Sequence, residues 1–181
     1  MAPVEPSGEV EFETARIVAR RWVATDLKPL LAVYGDAQAM RWVGDGQPLS
    51  EAQAIKWLKV TADNYRIRGY GMFAVALRDS GSVIGFCGLV HPGGQAEAEV
   101  KYAFSRAYWG LGYATEVVSA LLSYGAREHG LREIIATVAP ENAASHRVLA
   151  KARMARNGIR TNEDASQTTL YAWHPDRGHE L

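Results

Sequence analysis

The sequence predicts an α/β domain built on a mixed sheet, and three observations carry that expectation. Two apolar runs, Gly71 to Leu77 and Val83 to Val90, flank the turn Arg78-Asp79-Ser80-Gly81, which is a hairpin signal. Glu97 to Phe104 then alternates polar with apolar residues as a third strand. Beyond it Val117, Val118, Leu121, Leu122 and Tyr124 recur at helical spacing before the apolar run Ile134 to Val138, a strand-helix-strand unit.

The elements follow in order. Ala15 to Trp22 alternates and carries β-branched residues, giving a first strand, and Asp26 is placed to cap a helix through Leu30, Leu31 and Tyr34. Ser50 with Gln53 forms a capping box for a second helix, on which Ile55, Leu58 and Ala62 make the expected apolar stripe. After the hairpin, His91-Pro92-Gly93-Gly94 breaks the chain ahead of the third strand. Glu128-His129-Gly130 ends the central helix, Ala143 to Ala152 is helical, and Ile159 to Arg160 with Thr168 to Trp173 close the sheet. The expected domain spans residues 14 to 173, with Met1–Glu13 and His174–Leu181 as mobile tails.

Composition excludes several classes of function. Twenty Lys and Arg balance twenty Asp and Glu among 181 residues, so no global field draws the chain to nucleic acid or to an anionic membrane, and an anion site must be local. No segment has the length and hydropathy of a signal peptide or membrane span, and the expectation is a soluble protein. The single cysteine, Cys87, lies in an apolar strand and suits a reducing cytoplasm; no Cys/His cluster has zinc spacing, so no metal is expected. The five histidines are isolated, and none is assigned to catalysis.

The most telling stretch is Tyr108-Trp109-Gly110-Leu111-Gly112-Tyr113-Ala114-Thr115-Glu116, two glycines and an alanine that open a helix just after a strand. A helix N-terminus offers N–H groups without intrahelical partners and a partial positive charge, and glycines remove the Cβ atoms that would hold a pyrophosphate away. The bland alternative is a glycine that serves only the turn. The loop lacks the Gly-Lys-Ser/Thr ending of an ATP-binding P-loop and the three-glycine dinucleotide fingerprint, which disfavours ATP or NAD.

This stretch resembles the coenzyme A pyrophosphate loop of the GNAT acyltransferase superfamily, Gln/Arg-x-x-Gly-x-Gly/Ala, with Gly112 and Ala114 in the last two fixed places. Trp109 takes the first place, a departure from the consensus that matches the Tyr-Trp-Gly-x-Gly-Tyr-Ala-Thr-Glu form of the ribosomal-protein-alanine acetyltransferase branch. A second segment, Val138-Ala139-Pro140-Glu141-Asn142-Ala143-Ala144-Ser145-His146-Arg147-Val148-Leu149, resembles that branch's Pro-x-Asn-x-x-Ser-x-Arg-Val-Leu. The resemblance extends from about Thr14 to Trp173. It implies the GNAT fold, a mixed and mostly antiparallel sheet of about seven strands flanked by about four helices, splayed at one end where the pantetheine arm enters.

The implied activity is acetyl transfer from acetyl-CoA to a primary amine, a protein N-terminus or a small amine, by direct attack. The amine must lose a proton, the developing oxyanion needs a donor, and the thiolate must be protonated as it leaves. Alternation puts Glu97, Glu99 and Lys101 on one face of their strand and Val100, Tyr102 and Phe104 on the other. Glu99 is the favoured base, its rival roles being a solvated carboxylate or an ion-pair partner of Lys101. The tyrosine that many GNAT enzymes use as acid would stand where this chain has Leu149, and the branch's serine maps onto Ser145. Asn142 is a pantetheine contact or simply a helix cap, with Ser145 then only in the first turn.

The backbone near Ala103 and Phe104 is expected to hold the pantetheine arm, and Gly110, Leu111, Gly112, Tyr113, Ala114 and Thr115 the pyrophosphate. Glu116 is an awkward neighbour for phosphate unless it faces away. The acceptor pocket is expected between Tyr34 and Pro48, while Trp42 and Trp57 are core or substrate wall. Dimers are common among such proteins, and the terminal strands would supply that interface. The rival functions are a catalytically silent acyl-CoA sensor and an unrelated nucleotide-binding domain.

Overall fold

In the computed structural model, which describes residues 8–175, the chain begins with strands β1 (Val10–Glu13) and β2 (Ile17–Arg21), followed by helices α1 (Leu27–Tyr34), α2 (Ala37–Met40) and α3 (Glu51–Arg68). The meander β3 (Met72–Leu77), β4 (Val83–Val90) and β5 (Ala98–Phe104) leads to helix α4 (Tyr113–His129). Strand β6 (Ile134–Val138), helix α5 (Ala143–Lys151) and strands β7 (Ala155–Thr161) and β8 (Gln167–Trp173) complete the order. The described residues form an α/β fold around one eight-stranded sheet of order β1-β2-β3-β4-β5-β6-β8-β7. Every pairing is antiparallel except β5 with β6, which α4 connects.

The additions to the expected order are β1 and α2. Part of the expected N-terminal tail is thus a strand: Phe12 pairs opposite Ala19 and packs its ring 5.3 Å from Tyr124 and 6.4 Å from Phe73, which ties it to the core. At the other end, His174 Nδ1 donates to the Arg132 carbonyl at 3.1 Å. The rest of the two expected tails, Met1–Ser7 and Asp176–Leu181, lies outside the described residues.

Strand alternation distributes two cores over the two faces of the sheet. Phe73, Val75, Leu89 and Val100 join α4 residues Val117, Val118, Leu121 and Leu122 and α5 residue Leu149 on one face. Met72, Ala74 and Phe86 join Trp22 and α1 residues Leu30, Val33 and Tyr34 on the other.

Two local expectations are corrected. Asp26 precedes α1 but does not cap it through its side chain. Its buried carboxylate instead takes both terminal nitrogens of Arg20, at 2.7 and 2.9 Å, and the Val23 N–H at 2.9 Å, because a buried guanidinium needs an anionic partner more than a helix end needs a cap. Helix α3 has the expected capping box at Ser50 and Gln53, yet its inward face is Ala54, Thr61 and Tyr65. Ile55 stands 54% exposed and Ala62 is exposed, so of the expected stripe only Leu58 packs inward, half-buried against the α1 side. Tyr65 can sit in the core because its hydroxyl donates to the Met72 carbonyl and accepts the Trp22 backbone N–H at 3.2 Å.

Candidate active site

Strands β5 and β6 stay together only through Ala98 opposite Ile134 and Glu99 opposite Ile135. Beyond those pairs β5 continues along β4 to Phe104 and β6 along β8 to Val138, so the sheet opens into a cleft. Val100, Lys101 and Tyr102 line one wall, Ala136 to Val138 the other, with Asn142 and Ser145 of α5 at one side and Trp42 and Val43 at the mouth. The expected splay is present.

The register of β4 with β5 identifies the backbone groups facing this cleft. Ser105 donates to the Ile84 carbonyl at 2.9 Å, so Ser105 and Ile84 are a hydrogen-bonded pair and Phe104 opposite Gly85 is not. Alternation then turns the backbone of Ala103 and Lys101 toward β4 and that of Val100, Tyr102 and Phe104 toward the open edge. Of the two residues expected to offer backbone groups, Phe104 faces the cleft and Ala103 faces β4. Trp109 Nε1 donates to the Phe104 carbonyl at 2.7 Å, which anchors the loop that follows.

That loop turns on Gly110 and Gly112, whose φ angles of +73° and +84° lie in the left-handed region that glycine enters without strain. Gly112 occupies the N-cap of α4 and supplies no capping side chain. Its carbonyl accepts the first intrahelical bond, from Glu116 N at 3.1 Å, so the N–H groups of Tyr113, Ala114 and Thr115 have no acceptor within the helix. Leu111 is exposed at the apex.

Glu116 is held against the turn between β1 and β2 by groups that the sequence did not point to. Its carboxylate accepts from Thr14 Oγ1 at 2.6 Å, from Arg16 N at 3.1 Å and from Arg16 Nε at 2.7 Å. Partial burial alone would raise its pKa, but the hydrogen bonds from Thr14 and Arg16 outweigh this and hold the carboxyl below the usual value. The Arg16 guanidinium also donates to the Leu111 carbonyl at 3.0 Å and lies 4.2 Å from the centre of the Tyr113 ring. The turn between β1 and β2 thereby braces the loop, through contacts that no local motif announces because they join residues about a hundred positions apart.

Glu99 sits at the foot of the cleft, where β5 and β6 part, and is only 2% exposed. One carboxylate oxygen accepts from Lys101 Nζ and from Thr137 Oγ1, and the other from Gln95 Nε2 at 3.2 Å. Of its alternative roles, ion pairing with Lys101 is present and free solvation is not. Glu97 lies just before β5 and is exposed.

On the opposite side, Asn142 caps α5: its Oδ1 accepts the Ser145 N–H at 3.2 Å, and its Nδ2 donates to Ser145 Oγ at 3.1 Å. The Tyr102 hydroxyl donates to the same Oγ at 3.0 Å. Burial pushes the Tyr102 phenol up to about 12, with the Ser145 hydrogen bond pulling the other way, so the phenol stays protonated near neutral pH. His146 is tied down structurally, with Nε2 donating to the Ala139 carbonyl at 3.2 Å and Nδ1 accepting from Tyr171 Oη at 2.8 Å. Cys87 is buried, which raises its thiol pKa and makes it packing.

The two tryptophans part company. Trp57 packs 4.9 Å from Tyr34 and 6.0 Å from Trp22, in the core, whereas Trp42 stands 43% exposed at the cleft mouth under the Arg41 guanidinium. Arg106 Nε donates to Asp36 at 2.8 Å, joining the start of α2 to the segment after β5. Among the described residues no cluster of His, Cys, Asp or Glu could hold a metal, and no helix is long and apolar enough to cross a membrane.

A sheet split beside a glycine-opened helix is the arrangement that the GNAT resemblance implies, and comparison with known proteins agrees. Residues 16–155 match the acetyltransferase (GNAT) domain, and the chain belongs to that family. It is 32% identical over 150 residues to the uncharacterized N-acetyltransferase YnaD of Bacillus subtilis, covering 83% of this chain and 85% of that protein. The fold superposes on a GNAT-family acetyltransferase from Bacillus anthracis with a TM-score of 0.78 at 25% identity, covering 91% of this chain and 98% of the other. A ribosomal-protein α-N-acetyltransferase, RimL, solved in complex with coenzyme A, shares the fold at 17% identity with a TM-score of 0.76, over 93% of this chain and 99% of its own. The chain is thus an acetyl-CoA-dependent acyltransferase by family.

Proposed function

We propose that the protein acetylates a primary amine, a protein N-terminus or a small amine, by direct attack on the thioester of acetyl-CoA bound in the β5–β6 cleft. The observation that carries this reading is the convergence at one end of the sheet of the open β5 edge, the uncapped N-terminus of α4 and the Ser145 hydroxyl. The N–H groups from Gly110 to Thr115 take the pyrophosphate, since they are donors without helical acceptors at a positive dipole end. The open edge from Val100 to Phe104 takes the pantetheine amides as a strand would. Acetyl-CoA, when bound, supplies the activated acyl group.

Within that frame Ser145 donates a proton to the departing thiolate. Glu99 receives the amine's proton through ordered water, because its own oxygens already accept from Lys101, Thr137 and Gln95. The acceptor enters past Trp42, between the α2–α3 connection and β5. The chain shares its fold with proteins described as ribosomal-protein acetyltransferases and with one solved in complex with paromomycin and acetyl-CoA, which sets the choice of amines to test.

Calorimetric titration with acetyl-CoA, beside ATP and NAD, tests the reading. Selective binding of acetyl-CoA, lost in Gly112→Trp, is expected. Release of the coenzyme thiol is then followed with Ala- and Ser-initiated peptides and with paromomycin. Glu99→Gln should lower kcat about tenfold or more at retained acetyl-CoA affinity. No binding by folded wild-type protein overturns the coenzyme site, and binding without turnover on any amine favours a silent acyl-CoA sensor.

A further inference from the structure

The sequence offered no tyrosine at the position where many relatives keep their acid, and the cleft contains one that arrives from another element. Tyr102, on β5, reaches Ser145 on α5 across the cleft. We propose that Tyr102 is a positioning residue that fixes the direction in which Ser145 donates its proton, an inference resting on the acetyl-transfer reading above.

The hydrogen-bond directions at Asn142 follow from chemistry alone. A backbone N–H can only donate, so the Asn142 oxygen is the atom facing Ser145 N, and the Asn142 amide nitrogen must be the one that faces Ser145 Oγ. An amide nitrogen can only donate, which fills one acceptor position on Oγ. The Tyr102 hydroxyl donates to Ser145 Oγ, since the phenol is the more acidic of the two hydroxyls and Ser145 is its side-chain partner among the described residues. Its phenol is the protonated species near neutral pH, as established above, and donates throughout the working range.

Ser145 Oγ thereby accepts twice. A serine hydroxyl has two lone pairs and one proton, and with both lone pairs accepted its remaining capacity is the proton. That proton has the cleft to point into, since Ser145 lines it together with Tyr102 and Asn142. A free serine would rotate and present a lone pair or its proton with similar ease, and a lone pair aimed at a developing thiolate is repulsive. In the transfer step the C–S bond breaks, the electron pair stays on sulfur, the Ser145 proton passes to it, and Ser145 regains a proton from solvent in the open cleft as the products leave. The two donors behind Ser145 keep it the right way round and stabilise the negative charge its oxygen gains.

The test compares Tyr102→Phe, Ser145→Ala, the double variant and Asn142→Asp. Each is measured for acetyl-CoA affinity, melting temperature and thiol release with the fastest amine of the panel, or with water if none is turned over. Tyr102→Phe keeps the ring and removes the donor: kcat should fall about tenfold with the affinity within about twofold. Because Tyr102 acts through Ser145, the double variant should be no slower than Ser145→Ala. Asn142→Asp keeps a good helix cap but replaces the donor with a carboxylate that draws the Ser145 proton away from the cleft, so kcat should fall with melting unchanged. An unchanged rate in Tyr102→Phe, or a further fall in the double variant, overturns the inference while leaving acetyl transfer in place. Failure of the wild type to bind acetyl-CoA takes down both.

Discussion

Glu116 is a carboxylate in the first turn of the helix whose N-terminus is proposed to hold phosphate, and its tolerance depends on Arg16. The guanidinium takes the carboxylate on one side and the Leu111 carbonyl on the other, so one side chain both screens the charge and sets the shape of the loop. Arg16→Met should weaken acetyl-CoA binding about tenfold by calorimetry, and adding Glu116→Gln should restore part of the loss by removing the unscreened charge. The pH dependence has a definite sign. The folded Glu116 pKa is below the ordinary glutamate value, so its stabilisation is present above about pH 4.3 and is lost as pH falls through the lower folded value. Wild type should therefore melt above Glu116→Gln at pH 7, and the gap should close toward pH 3. At this scale the legible residues were those whose role depends on local chain order: Gly112 at a left-handed N-cap, and Asn142 with Ser145 three residues on. Thr14, Arg16 and Thr137 were not legible, because each reaches its partner only once distant strands are side by side.

Among the elements, α3 separates what periodicity reports from what packing requires. The stripe Ile55, Leu58 and Ala62 has the spacing of a buried face, yet Ala54, Thr61 and Tyr65 also recur at helical spacing and are the residues that are buried. An apolar count misses that solution because two of its members carry hydroxyls. Tyr65→Phe preserves the stacked ring against Phe73 but leaves the buried Trp22 backbone N–H and Met72 carbonyl without their shared partner. The cost should be about 1–3 kcal/mol, lowering Tm by roughly 3–10 °C, whereas Ile55→Ala, at a position 54% exposed, should leave it nearly unchanged. A reversal of that ranking would restore the sequence-derived stripe. The same limit explains why β5 and β6 were each recognisable as strands from alternation while their separation was expected only from the family resemblance. Alternation marks where a strand lies, and how long two strands remain paired is decided by everything packed against them.

In the whole molecule, one sheet divides two cores, with α4 and α5 on one side and α1 on the other. The cleft is where the division is incomplete, since its walls come from β5, β6 and α5 and its mouth from the segment joining α2 to α3. A ligand seated there touches elements of both faces at once, so its binding energy should register in the stability of the entire domain. With acetyl-CoA at a hundred times its Kd, the folded state should gain about 2.7 kcal/mol, or roughly 5–10 °C in Tm. ATP and NAD should produce no shift, and Gly112→Trp should abolish the shift without abolishing cooperative unfolding. The shape of the melt tests the two-sided arrangement independently of the chemistry. Because both cores use the two faces of the same strands, neither can persist when the sheet parts, and a single transition should move as a unit. Two transitions of which acetyl-CoA moves only one would mean that the faces unfold separately and that the ligand belongs to one of them.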